Sequence, residues 1–308
     1  MISDKRAISI ALAVFASLAL LSGTVSAAEQ PYFPSPEEAT QALIEAAETD
    51  DSDAVLLLLG PQGDAIRSSD PVADALERKG FVEAARQATS IRLDGDDYAT
   101  IYVGEDDWPF PVPLIKEPDG WRFDTEGGIE ELLDRRIGRN ELHTIETAKA
   151  FVAAQREYAS QDQNGDGLME FAQELMSTEG ERNGLYWPTT GDEPESPMDR
   201  LVAEAIDEGY QPGRKEEPTP YHGYYYRALT ARGESAPEGA KSYIVDGRMT
   251  EGFALLAYPA DYGSSGIMSF LINQSGTLYQ KDLGEETASL AAAVTAYDPD
   301  QSWEPVTD

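Results

Sequence analysis

Residues 128–160, GIEELLDRRIGRNELHTIETAKAFVAAQREYAS, decide the fold. Leu132 and Leu133, and then Leu142, Ile145, Phe151 and Val152, recur close to the spacing of one helical face. Charged and polar residues fill the positions between them. The pattern predicts the longest helical stretch of the chain. Gly138 and Asn140 interrupt it and are weak helix formers. Two helices are therefore expected, the second from about Glu141 to Ser160.

On the N-terminal side the pattern has a different period. SIRLDG, DYATIYVGE, PFPVPLIKEPDG and WRFDTE, between Ser90 and Glu126, are short segments with turn residues between them, as in an antiparallel meander. Asp119-Gly120 is the turn that joins two of them. Further out lie helices. Ser35 is an N-cap candidate, followed by Pro36 and by Glu38 three residues on. SDAVLLLL before Gly60 predicts a short helix, and residues 70–89 predict one or two more. Helices followed by a small curved sheet over 32–137 resemble the cystatin-like or nuclear-transport-factor-like architecture, which implies a cone with a ligand pocket.

On the C-terminal side the second helix runs into DQNGDG, Asp162 to Gly167. LMEFAQELMST then predicts a short helix and residues 179–197 a loop. MDRLVAEAIDE predicts a helix closed by Gly209. YHGYYYRALTARG alternates aromatic and polar residues and predicts a strand, with one face in a core. EGFALLAYPADYG predicts another strand, FLINQSGTLYQKDLG a hairpin turning at Gln274 to Gly276, and EETASLAAAVTAY a closing helix. The fold class is α+β. Two units are expected, 32–137 and 138–308, meeting near Gly138.

The 308 residues include 57 acidic and 23 basic ones, a formal net charge of −34. Such a chain repels nucleic-acid phosphates and anionic membrane surfaces, and favours divalent cations and basic partners. An acidic surface also serves solubility. Lys5 and Arg6 precede the apolar run AISIALAVFASLALL and the small residues SGTVSAA. This is the arrangement of a signal peptide over residues 1–28, cleaved after Ala27 or Ala28. No later segment is apolar enough to span a membrane. The expected location is periplasmic or extracellular. The chain contains no Cys, so disulfides and thiol chemistry are excluded.

RRIGRNELHTIETAKAFVAAQREYA, DGLMEFAQELMSTEGERNGLYWP, GYYYRALTARG, EGFALLAYPADYG and FLINQSGTLYQKDLG, in this order, resemble the bacterial family called domain of unknown function 2950. That resemblance covers most of the chain and implies no activity. The long helix, acidic loop, GFALLAYP strand and FLINQSGTLYQKD hairpin are also similar to the globular part of pseudopilins, some of which hold calcium there. In pseudopilins the apolar helix begins the mature protein, whereas here the helix is amphipathic and mid-chain.

DQNGDG matches the opening of an EF-hand loop. Asp162, Asn164 and Asp166 take positions one, three and five, and Gly167 takes the sharp turn. The Leu168 carbonyl is at position seven and Glu170 at position nine. Position twelve holds Gln173 instead of Glu, with Glu174 one residue later. A structural calcium ion with these ligands is one expectation. An Asn-Gly turn with polar neighbours is the other.

No complete catalytic constellation is present. His143 and His222 are the only histidines and show no zinc spacing. No G-x-S-x-G elbow occurs, and YGSSG at 262–266 reads as a loop. Clustered carboxylates such as GEDDW carry no weight in so acidic a chain. The aromatic residues around Tyr186, Trp187, Tyr258 and Tyr262 either line a groove or fill a core. Three functions follow. The first is a non-catalytic exported protein, envelope-associated or partner-binding, with a structural calcium loop. The second is a small-ligand module using an N-terminal pocket. The third is a hydrolase built on His222, a buried carboxylate and a Ser.

Overall fold

The computed structural model describes residues 30–49, 51–165, 167–189, 194–211 and 218–307. The expected signal segment lies outside the described residues, and so does Asp166 of the calcium reading.

Helix α1 (Pro36–Glu48) starts where the Ser35 hydroxyl accepts from the Glu38 N–H, with Pro36 in the first turn. The Asp51 carboxylate caps α2 (Ser52–Leu59), and Gly60 at φ 78° ends it. A 3-10 turn (Pro61–Ile66) leads to α3 (Pro71–Gln87), a single helix capped by Asp70. Next come β1 (Thr89–Asp94), β2 (Tyr98–Val103), β3 (Trp108–Pro109), β4 (Leu114–Glu117) and β5 (Gly120–Phe123). They pair antiparallel in the order β1-β2-β4-β5, with β3 on β2. Ala99, Ile101 and Val103 alternate inward along β2 and join Leu43, Leu59 and Phe123 in a first core. Gly120 has φ 133°, and a Cβ there would lie 2.6 Å from the Phe33 carbonyl. Only glycine lets Phe33 bridge to Trp121 at this point.

Helix α4 is one uninterrupted element, Thr125–Tyr158, and corrects the expected break near Gly138. A glycine costs a helix only about 1 kcal/mol. At Gly138 the surroundings are open, so nothing forces a kink. Asn140 is held in the helix by tertiary contacts: its side-chain amide donates to the Ser265 carbonyl at 2.8 Å. The buried stripe also differs from the apolar reading. Asn140, Thr144 and Thr147 face inward at mid-helix, whereas Leu142 is 63% exposed. The Thr144 hydroxyl bonds the Asn140 carbonyl and lies 3.2 Å from Tyr226 Oη, so the polar stripe is satisfied. The N-terminal half of α4 serves the first core through Leu132, and the C-terminal half serves a second through Phe151, Val152 and Tyr158.

After α4 the expected short helix is absent, and residues 168–178 are extended up to and beyond β6 (Glu174–Met176). Tertiary hydrogen bonds decide this. Gln155 on α4 donates Nε2–H to the Ala172 carbonyl at 2.8 Å and accepts from the Ala172 N–H at 2.9 Å. The Phe171 N–H donates to the Met249 carbonyl. A helix would withdraw all three groups. β6 pairs parallel with β7 (Gly184–Tyr186), inside what reads as loop. Helix α5 (Asp199–Glu208) ends at Gly209 in the left-handed region, as expected.

The second sheet is built from β8 (Tyr224–Leu229). Between it and its partner lie two small ribbons. One joins β9 (Ala231–Arg232) to β10 (Lys241–Ser242), the other β11 (Ile244–Val245) to β12 (Arg248–Met249). Then follow β13 (Ala254–Pro259), β14 (Met268–Asn273) and β15 (Leu278–Asp282), helix α6 (Thr287–Ala293) and β16 (Glu304–Pro305). The order is β16-β15-β14-β13-β8, antiparallel throughout. Gln274 to Gly276 turn the β14–β15 hairpin. Interior strand β13 is buried almost end to end, and Phe253, just before it, meets Phe151 edge to face at 5.7 Å. The chain is thus α+β, with two cores sharing one long helix. Among the described residues, no helix is long and apolar enough to cross a membrane.

Candidate ligand-binding site

A cavity of about 870 Å³ opens between α1, α2, α3 and the N-terminal half of α4. Val55, Leu56 and Leu59 of α2 form one wall, with Phe81 of α3 and Phe110 opposite. Their arrangement follows from sequence: four successive leucines on a short helix leave some apolar side chains beyond what one core absorbs. Trp108 stands at the margin, 60% exposed, with the Arg135 guanidinium 5.6 Å from its ring centroid. Arg67, Arg78, Arg135, Arg136 and Arg139 line the cavity together with Asp74, Glu77 and Glu208. The walls are mainly helical.

The far end of the cavity reaches the second core at His143, Glu208 and His222. His222 and Gly223 are the central residues of a tight turn between Tyr221 and Tyr224, whose backbones bond each other in both directions. Their φ angles are 48° and 74°, the left-handed pair a type I′ turn requires. The strand read from Tyr221 therefore begins only at Tyr224. His222 pays for this position with an uncommon backbone. In return its ring is packed among Tyr221 at 4.4 Å, His143 at 4.2 Å and Tyr210 at 5.4 Å between centroids.

Burial pushes the His222 imidazole down to about 4, with His143 acting the same way and Asp70 opposing. The ring Nε2 lies 3.1 Å from Glu208 Oε2, within hydrogen-bond distance. Burial in turn pushes the Glu208 carboxyl up, against an opposing pull from His143. Beneath the turn, Asp70 Oδ2 accepts from Tyr210 Oη and from the Gly223 N–H, each at 2.9 Å. Burial and the Asp70 charge hold the Tyr210 hydroxyl protonated well beyond its ordinary range, so it acts as a donor. Among the described residues no serine hydroxyl bonds either histidine; His222 is tied to Glu208 and Tyr210 instead.

The calcium residues gather only in part. Asp162 accepts from the Gly165 and Gly167 N–H groups, each at 2.8 Å, and Asn164 donates to Glu170 Oε1 at 2.5 Å. Gln173 donates to the Gly247 carbonyl, toward a different loop. Leu168 is exposed, and Glu174 belongs to β6. No helix leaves the loop. Among the described residues, no group of three His, Asp or Glu side chains is placed as a metal site. The aromatic residues divide: Trp187 and Tyr224 are buried in the second core, and Tyr258 packs on Tyr225 at its edge.

Sequence reasoning missed Asp70, Glu208 and Tyr210. The His-Gly dipeptide between aromatic residues is a hairpin signal and could have located the turn. Nothing local links it to Asp70.

A family model described as a protein of unknown function, DUF2950, matches residues 30–306, and the chain belongs to that family. Comparison with curated proteins and with solved structures yields no match. The pseudopilin likeness thus rests on sequence phrases alone.

Proposed function

We propose that this DUF2950 member is an exported binding protein whose cavity between α1, α2, α3 and α4 takes a small ligand with an apolar body. The observation that carries the reading is the cavity itself. Its volume of about 870 Å³ is of the size that ligand sites have, and its walls combine apolar side chains with a few convergent polar groups. The basic residues and apolar run before Ala28 support export. Thermal melts against a panel of small amphiphiles test the binding. A ligand should raise the melting temperature of the native protein, and Val55→Trp, which fills the cavity, should lose the effect while staying folded. Melts unmoved by every probe, together with native mass spectra free of any small molecule, would end this reading.

A second reading attaches to the loop at Asp162, where three of the expected oxygen donors, Asp162, Asn164 and Glu170, lie in one tight turn. Calcium would be structural there, held by these residues with Asp166 and the Leu168 carbonyl. The Asp162 carboxylate would have to share its oxygens between the ion and the two glycine N–H groups.

A further inference from the structure

In the cavity wall, the hydrogen bonding of Arg136 is incomplete. Arg136, on α4, is 4% exposed. Its Nη2 donates to the Ile66 carbonyl, and Asp74 Oδ1 lies 3.6 Å from the same atom. The Asp74 carboxylate already accepts from the Ser68 hydroxyl and N–H. Nε and Nη1 of Arg136, which carry three of the five guanidinium N–H bonds, have no hydrogen-bond partner. A buried cation in this condition is unfavourable unless an anion completes it. Of the other arginines at the cavity, Arg67 is paired with Asp53, Arg135 with Glu131 and Arg139 with Glu77, and Arg78 donates Nη1–H to the Asp74 carbonyl.

The surroundings point the same way. A chain with 57 acidic and 23 basic residues places five arginines and three carboxylates around one apolar void, with Asp53 and Glu131 beside it pairing Arg67 and Arg135. The cavity is thus much less acidic than the chain as a whole, which favours an anion there over the rest of the surface. The apolar wall of Val55, Leu56 and Phe81 takes a hydrocarbon body, and guanidinium recognises carboxylate better than any neutral head.

Resting on the binding reading above, we infer that the ligand is an amphiphile with one anionic head, of the class of a medium-chain carboxylate, and that Arg136 is the residue that receives the head group. Nε and Nη1 are covered in the structure, so the guanidinium turns toward the void on binding, a motion its rotatable stem allows.

Calorimetric titration with dodecanoate and with dodecanol, which share a chain and differ in charge, separates the two ideas. Dodecanoate should bind at least about tenfold tighter, a difference of about 1.4 kcal/mol. Arg136→Met should bring the two affinities together while retaining dodecanol binding, which also shows that the variant folds. Arg136→Lys should keep part of the preference, and Arg92→Met, on exposed β1, all of it. If Arg136→Met fails to fold, Arg136→Lys and dodecyltrimethylammonium, which should bind worst, decide. Equal affinity of the unmutated protein for dodecanoate and dodecanol overturns this inference and leaves the cavity reading standing. Binding of neither probe overturns both.

Discussion

Asp70 and Tyr210 lie 140 residues apart in sequence and 2.9 Å apart in space, carboxylate to hydroxyl. The same carboxylate accepts from the Ala73 N–H, and so caps α3, and from the Gly223 N–H, and so holds the His222 turn. One buried acid thereby ties the helices that wall the cavity to the edge of the second sheet. Its charge is met by donors on three sides.

Asp70→Ala should therefore destabilise the protein by about 3 kcal/mol, because it leaves a buried hydroxyl and a buried N–H without acceptors and uncaps a helix. Asp70→Asn keeps one acceptor oxygen and should lose less. Tyr210→Phe removes one donor to Asp70 and the acceptor of the His222 N–H, and should also lose less than Asp70→Ala. Urea unfolding of the three variants checks the order. Equal losses would show that the carboxylate is not the shared acceptor.

The His222 environment implies a pH dependence of stability. The folded ring protonates only near pH 4, whereas an unfolded histidine does so near 6.5. Between these values the unfolded state binds more protons, so stability falls as pH falls through 6.5 and the loss levels off below about 4. The shift corresponds to about 3 kcal/mol at most. Glu208, pushed up, acts in the opposite direction near its own titration. His222→Asn suits the left-handed turn and removes the ring. Its unfolding free energy should fall less steeply than that of the unmutated protein from pH 6.5 to 4. Parallel slopes would mean that His222 is not held neutral.

Gly138→Ala tests the continuity of α4. The added methyl meets open space, and alanine is favoured in a helix interior by about 1 kcal/mol. A rise in stability of that size is expected in chemical denaturation. A loss would indicate a break at this position.

Calcium decides the status of DQNGDG. The expected result is a higher melting temperature with calcium than with chelator, abolished by Asp162→Ala and kept by Asp96→Ala in a separate acidic turn. Superimposable melts would leave the stretch as a turn whose carboxylate serves the Gly165 and Gly167 N–H groups.

Much of the local structure was legible in the residues themselves. Ser35, Gly60 and Gly209 bound helices where their capping chemistry places them. Gln274 to Gly276 turn a hairpin as expected, and the β4–β5 turn falls one residue before the expected pair, at Pro118-Asp119 between the paired Glu117 and Gly120; such boundaries depend on backbone groups only a few residues away. Two expectations failed where distant groups prevailed. Gln155 and Met249 hold residues 171 and 172 extended against a helical pattern. Asn140 and Thr144, polar and therefore overlooked, are buried because Ser265 and Tyr226 complete their hydrogen bonds.

The sequence by itself thus determined the α+β class, the family, the acidic character and most element boundaries, all properties of composition or of neighbours in the chain. Tertiary structure alone decided the cavity and the contacts of the turn behind it. A void is the space left between helices after they pack, and no residue encodes it singly. Asp70, Arg136, Glu208, Tyr210 and His222 acquire their roles from partners up to 153 residues away. Burial then shifts the protonation of Glu208, Tyr210 and His222, and burial is a property of the whole fold.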